Sequence, residues 1–200
     1  MQDPISKNNA IYYESVKAYP DDYRGVKWES AQSQFLRFKI LGGISPLIFN
    51  YSILDVGCGL GHLVDYLISR DFKGSYQGID ISYPMIAQAK KRHPNFTFEH
   101  NDIEHISEKS VEYVLASGIF AFSDFEQAKH TLSLLFSKAI KGVAVNFLSA
   151  YIPEDIKEPE LFYAEPSKIF DFCKSLSPYV SLRHDYLEND FTVYLYKNGE

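Results

Sequence analysis

A doubly wound α/β domain, with a mostly parallel seven-stranded sheet and a C-terminal antiparallel hairpin, is predicted by three features of this 200-residue chain. Short apolar runs alternate with helical stretches through the middle of the sequence, the pattern that winds helices onto both faces of a parallel sheet. The first of those runs is followed by glycines at alternate positions, Gly57, Gly59 and Gly61. Near the end, Tyr179–Leu187 and Phe191–Lys197 are β-rich runs joined only by Glu188-Asn189-Asp190. That joint is too short for a helical crossover, so the two runs pair antiparallel.

Residues 1–48 read as a helical extension ahead of the sheet, placed to cover the active site, and residues 49–200 as the ligand-binding domain. Asn8 to Ala18 suits a short helix broken by Pro20-Asp21-Asp22. Trp28 to Leu41 suits a second, with Trp28, Phe35, Phe38 and Leu41 on one face and Gly42-Gly43 at its end. Ile53, Leu54 and Val56 make a strand covered on both faces. Leu60, Leu63, Val64 and Leu67 then recur at helical spacing. Tyr76–Ile81 is the second strand, and Tyr83-Pro84 opens a helix to Arg92 with proline in the first turn, where its missing N–H is harmless. Phe96–His100 alternates as the third strand and Val111–Ala116 forms the fourth. A helix over Phe125–Ala139, a fifth strand over Gly142–Leu148 and a helix over Pro166–Leu176 complete the alternation.

Composition narrows the function. Net charge is −6, which argues against non-specific attraction to nucleic acid. No apolar run is long enough to span a bilayer, and the start Met-Gln-Asp-Pro lacks the basic and apolar regions of a signal peptide. Cys58 and Cys173 have neither metal-site spacing nor a disulfide framework, so a cytoplasmic protein with reduced thiols and no metal is expected. Aromatic residues make up 16% of the chain, a supply that can line an apolar pocket or simply fill the core.

In a doubly wound sheet, ligands bind beyond the carboxyl ends of the strands, at the point where strand order reverses. Glycine permits positive φ and close approach of a ligand to the backbone, and a helix opening on such a loop presents free N–H groups. Asp80 closes the second strand, where an acid can accept both ribose hydroxyls or instead cap the next helix in competition with Ser82. Asn101-Asp102-Ile103 closes the third strand; there a carboxylate can accept from an exocyclic adenine amine with Ile103 beside the ring, or cap a turn. Ser117-Gly118 closes the fourth, near the reactive end of the ligand.

Asp55-x-Gly57-x-Gly59-x-Gly61, Asp80, Asn101-Asp102 and the terminal hairpin together resemble class I S-adenosylmethionine-dependent methyltransferases over about residues 50 to 197. The resemblance implies a Rossmann-like methyltransferase fold and S-adenosyl-L-methionine as cofactor. It implies that Gly57, Gly59 and Gly61 pass beneath the methionine and ribose, and that Asp55 supports the loop and the ammonium. It further implies that Asp80 holds the ribose and that Ile81 and Met85 pack on adenine with Ile103. Asp102 would bind the adenine amine, and the main chain of Ala116 and Ser117 would touch the methionine moiety. Trp28 with Ser33-Gln34-x-x-Arg37-Phe38, Ala116-Ser117-Gly118-Ile119-Phe120, and Arg183-His184-Asp185-Tyr186 with Asp190-Phe191-Thr192 resemble a group of small bacterial methyltransferases.

Arg37 reads either as a surface charge or as the bidentate partner of the cofactor's carboxylate. His184 reads either as a structural histidine or as the catalytic base. Tyr12, Tyr13 and Trp28 read as a lid over the acceptor or as plain packing. The lead function is methyl transfer to a small-molecule or carbohydrate-like acceptor, without nucleic-acid or membrane partners. The rivals are a nicotinamide oxidoreductase, which expects Gly-x-Gly-x-x-Gly, and a non-catalytic cofactor-binding protein of the same fold.

Overall fold

The computed structural model describes residues 30–199. The expected helix over residues 8–18, the lid candidates Tyr12, Tyr13 and Trp28, and the first two residues of the expected second helix lie outside the described residues. That second helix, α1, spans Ala31–Gly42 and is opened by Ser30, whose Oγ accepts the Ser33 N–H at 3.0 Å. A serine at this position satisfies one of the orphan donors of the first turn, which sets the start at residue 31.

The strands are β1 Ile53–Val56, β2 Tyr76–Asp80, β3 Thr97–His100, β4 Val111–Ala116, β5 Ala139–Ser149, β6 Tyr163–Ala164, β7 Tyr179–Leu187 and β8 Asp190–Tyr196. The intervening helices are α2 His62–Ser69, α3 Tyr83–Arg92, α4 Phe125–Lys138 and α5 Pro166–Leu176. The sheet runs β3-β2-β1-β4-β5-β8-β7, with β6 paired to β5. Strands β1 to β6 pair in parallel, whereas β8 is antiparallel to both β5 and β7. The sheet is thus the expected seven strands plus β6, a two-residue bridge to Leu148 and Ser149 that is too short to leave a periodic signal.

Side chains alternate between two cores, as a strand's twofold period requires. Leu54, Val114, Val145 and Val193 face α4 and α5, where Leu132, Leu135, Ile169 and Cys173 are buried. Ile53, Tyr113, Ala144 and Tyr194 face α1, α2 and α3, where Leu41, Val64, Leu67 and Ala89 are buried. Strand β5 starts at Ala139 rather than Gly142, because the chain passes from α4 directly into pairing with Val111 and the bulge that follows absorbs Ile140 and Lys141. Among the described residues no helix is long and apolar enough to cross a membrane.

Strand order reverses between β1 and β4. That reversal opens a crevice beyond their carboxyl ends. Because β8 is antiparallel, its first residue, Asp190, lies at the same edge as the last residues of the parallel strands.

Candidate functional site

The crevice is a cavity of about 960 Å³ running across the carboxyl edge of the sheet. Its size is at the upper end of the range for drug-sized ligands, about 300–1,000 Å³. The loop after β1 forms one wall. Gly57 N–H and Cys58 N–H both donate to the Ile79 carbonyl, at 2.9 and 3.0 Å, which ties the loop to β2. Gly57, Gly59 and Gly61 all have left-handed φ, at 71°, 53° and 78°. A Cβ on Gly57 would stand 2.4 Å from the Ile119 side chain, so both conformation and space demand glycine there.

Asp80 locks this wall. One carboxylate oxygen accepts from Gly59 N–H at 2.9 Å and the other from Ser82 N–H at 2.8 Å. Ser82 precedes α3 without a side-chain cap of its own, so the two readings of Asp80 meet in one residue: it orders the entry to α3 and also faces the cavity. Asp102 behaves alike, accepting from Glu104 N–H at 3.1 Å while lining the cavity. Asp55 is 4% exposed and accepts from the Tyr76 hydroxyl at 2.7 Å. Burial pushes its carboxyl up to about 7, against the lowering effect of the Tyr76 hydrogen bond and with a further push from Asp80. Asp80 is also raised, chiefly by burial. Ser117 Oγ is a buried hydroxyl at the cavity with no hydrogen-bond partner among the described residues. Such a group is costly to leave unpaired and suits a polar ligand atom.

Of the site residues expected from the sequence, Arg37, Asp55, Gly57, Gly59, Asp80, Ile81, Met85, Asp102, Ile103 and Ser117 line this one cavity. Three do not. Gly61 is turned into the fold, where a Cβ would meet the Phe98 ring at 2.9 Å; it serves as the left-handed cap of α2. Ala116 is fully buried, paired between Val56 and Val145. His184 lies on β7, within an irregularity that shifts the register between Arg183 and Leu187. Its ring is 6.0 Å from Phe191 and 6.1 Å from Tyr151, away from the cavity lining, so the expectation of a catalytic base at His184 is withdrawn.

Sequence reasoning missed a polar cluster opposite the glycine loop. Arg37 reaches from α1 to pair with Asp190, which is 1% exposed, through its Nε. The other Asp190 oxygen accepts from Asn146 Nδ2 at 3.2 Å and from the Tyr186 hydroxyl at 3.1 Å. Asn146 Oδ1 in turn accepts from Gly118 N–H at 2.9 Å, next to Ser117. Burial raises the Asp190 carboxyl to about 6, with Arg37 as the main opposing influence. Asp190 was read as part of a three-residue turn. The turn is instead Glu188-Asn189, with Asp190 paired to Leu187 as the first residue of β8. The available signal was the alternation Asp190, Thr192, Tyr194, which puts these three on one face of a strand.

Beyond the cluster the cavity is aromatic and apolar. Phe120 and Phe147 stack at 4.2 Å and 14°, and Phe122, Ile152, Leu161 and Tyr163 extend the wall.

Residues 53–137 match the profile of a methyltransferase-domain family. A putative methyltransferase of Mycobacterium tuberculosis is 36% identical over 155 residues, covering 74% of this chain and 93% of that protein. A trans-aconitate 2-methyltransferase of Methylobacterium nodulans is 28% identical over 114 residues, covering 57% of this chain but only 43% of that protein. The plantazolicin methyltransferase BpumL, solved with a triazolic desmethylPZN analogue and S-adenosylhomocysteine, superposes with a TM-score of 0.70 at 15% identity, covering 100% of both chains. At that identity the superposition speaks for the fold.

Proposed function

Given that the chain belongs to the class I S-adenosylmethionine-dependent methyltransferases, we propose that it methylates a small-molecule or carbohydrate-like acceptor held in the aromatic half of the cavity. The observation that carries this reading is the continuity of one cavity from the Asp80 wall to the Phe120–Phe147 wall. Neighbouring strands are about 4.8 Å apart, so β3 to β8 spans roughly 24 Å, room for a nucleoside donor and an acceptor side by side. The membership favours this donor over the nicotinamide alternative.

The residues present fit the cofactor. In this reading Asp80, with both oxygens anchored by backbone N–H groups, accepts from the ribose hydroxyls. Ile81, Met85 and Ile103 flank adenine, and Asp102 accepts from its amine. Asp55 and the unpaired Ser117 hydroxyl receive the methionine ammonium, and Arg37 faces its carboxylate. Bound S-adenosylmethionine supplies an activated methyl group on a positively charged sulfur. The chain's own contribution is alignment and exclusion of water, which suffices for an in-line displacement. We further propose that the segment before residue 49 covers the site, since Gln34, Arg37 and Phe38 of α1 already form part of the cavity wall.

Titration calorimetry with S-adenosylhomocysteine and NAD tests the donor side. Tight binding of the first and none of the second is expected, with Asp80→Ala weakening S-adenosylhomocysteine at least about tenfold through two lost charge-assisted hydrogen bonds. Saturable NAD binding with no response to S-adenosylhomocysteine would refute the reading. Transfer of a labelled methyl group into the small-molecule fraction of a cell extract tests the acceptor side; label confined to macromolecules would overturn it. Trans-aconitate, named for the Methylobacterium relative, belongs in the first panel of acceptors.

A further inference from the structure

Beneath the glycine loop, Asp55 of β1 is held by a side chain from the neighbouring strand. The Tyr76 hydroxyl donates to Asp55 Oδ2 at 2.7 Å and is the one hydrogen-bond donor to this carboxyl among the described residues. Tyr76 starts β2 opposite Ile53, two residues before Gly78, the register partner of Asp55. A strand's twofold period puts Tyr76 and Gly78 on one face, so the phenol reaches Asp55 across position 78. A Cβ there would stand 2.8 Å from the Tyr76 hydroxyl oxygen and 3.0 Å from the Cys58 Cβ, so glycine keeps the slot open. The ring is fixed by edge contacts with Phe96, at 5.8 Å and 81°, and with Phe98, at 5.6 Å and 64°. Asp55 lines the cavity and Tyr76 does not, so what Tyr76 contributes to a ligand passes through Asp55.

We infer that Tyr76 is a positioning residue for the cofactor: its hydroxyl fixes one Asp55 oxygen and so aims the other at the methionine ammonium. The inference rests on the reading of Asp55 as the ammonium's partner given above. An ammonium needs the ionised carboxylate, and both burial and Asp80 oppose that form, whereas the Tyr76 hydrogen bond favours it. Burial and the neighbouring carboxyls push the Tyr76 phenol well above its ordinary range, so it stays a donor whenever Asp55 is ionised. The titratable neighbours of the pair are Cys58 of the loop and Asp80 at the end of β2, and neither supplies a positive charge. On the other side Asp55 is paired to Leu115 of β4, which is apolar. Across the cavity stand Arg37 of α1, bonded to Asp190 through Nε, and His62 of α2, whose Nδ1 lies 3.4 Å from Gln34 Nε2. A hydrogen bond to an ionised group is worth roughly a factor of ten or more, so loss of the hydroxyl leaves Asp55 holding its proton to a pH about one unit higher.

The test is calorimetric titration of wild type, Tyr76→Phe, Asp55→Asn and the double variant between about pH 5.5 and pH 8.5. The probes are S-adenosylhomocysteine and 5′-methylthioadenosine, which keeps the adenosine and lacks the amino-acid part. For S-adenosylhomocysteine, Tyr76→Phe should bind about tenfold more weakly than wild type near pH 6 and within about twofold of it near pH 8.5. Methylthioadenosine should bind wild type and Tyr76→Phe within about threefold of each other at every pH, because it brings no ammonium to Asp55. In the Asp55→Asn background, Tyr76→Phe should leave S-adenosylhomocysteine affinity within about threefold, which decides the matter if Tyr76→Phe alone fails to fold. The inference is overturned if Tyr76→Phe weakens methylthioadenosine as much as S-adenosylhomocysteine, if its loss is the same at every pH, or if the loss persists in the Asp55→Asn background. A wild-type S-adenosylhomocysteine affinity that is flat with pH and unchanged by Asp55→Asn would instead refute the reading of Asp55 on which the inference rests.

Discussion

Asp55→Asn should remove a specific pH dependence from the stability of the ligand-free protein. Asp55 is buried beside the glycine loop, and its carboxyl is raised from 3.8 to about 7. Between those two values the unfolded chain has lost a proton that the folded chain still holds. Stability from this group is therefore complete below 3.8, falls as pH rises toward 7, and is fully lost above it. Raising the carboxyl from 3.8 to about 7 corresponds to about 4 kcal/mol in all, of which about 2–3 kcal/mol falls between about pH 5 and pH 8. Asparagine has the same shape, its carbonyl oxygen can still accept from the Tyr76 hydroxyl, and it does not ionise. Urea unfolding of both proteins at several pH values, followed by far-ultraviolet circular dichroism, gives the difference directly. Wild type should lose about 2–3 kcal/mol relative to Asp55→Asn on going from about pH 5 to pH 8. Parallel pH profiles, or wild type gaining on the variant as pH rises, would refute the account of Asp55. With S-adenosylmethionine present the sign reverses for binding: an ammonium prefers the ionised carboxylate, so wild-type affinity should rise with pH toward about 7, while the variant's stays flat.

Other perturbations have equally direct readouts. Gly57→Ala places a Cβ 2.4 Å from the Ile119 side chain at a φ of 71°, and denaturant unfolding should show a loss of roughly 2–5 kcal/mol from left-handed strain plus overpacking. Ser117→Ala removes an unpaired buried hydroxyl, so the ligand-free protein should gain about 1 kcal/mol in the same assay while S-adenosylhomocysteine binding weakens in calorimetry. Cys58 and Cys173 are both buried with thiols pushed up by burial, Cys173 to about 12, so neither should react with an aromatic disulfide reagent until urea unfolds the chain.

The glycine-loop wall of the cavity was legible in the sequence because its geometry is local. Gly57 and Gly59 follow a strand directly, and Asp80 and Asp102 close the next two, so chain order and strand ends alone brought them to one edge of the sheet. Alternation fixed most element bounds, and α3, β4, α5 and β7 match the expected ranges end to end. What the sequence hid was non-local. Arg37 and Asp190 are 153 residues apart, and their pairing depends on α1 crossing the loop while β8 inserts between β5 and β7. His184 misled because a residue's number along β7 says nothing of the register shift that carries it off the cavity. Gly61 occupies the expected loop with its open side against the Phe98 ring, and Ala116 occupies the expected strand end as a fully buried residue.

The long separation between Arg37 and Asp190 also sets a timetable. During synthesis at about 5–20 residues per second, roughly 8–30 s pass between the addition of Arg37 and the addition of Asp190. Through that interval the bridge cannot form, and the guanidinium is best left in water. Gln34, Arg37 and Phe38 of α1 supply part of the cavity wall, and the Arg37–Asp190 bridge that helps fix it is complete only once β8 has been made. A nascent chain thus lacks the Asn189–Asp190 side of the crevice until β8 has been made, so the last residues to arrive complete the cavity.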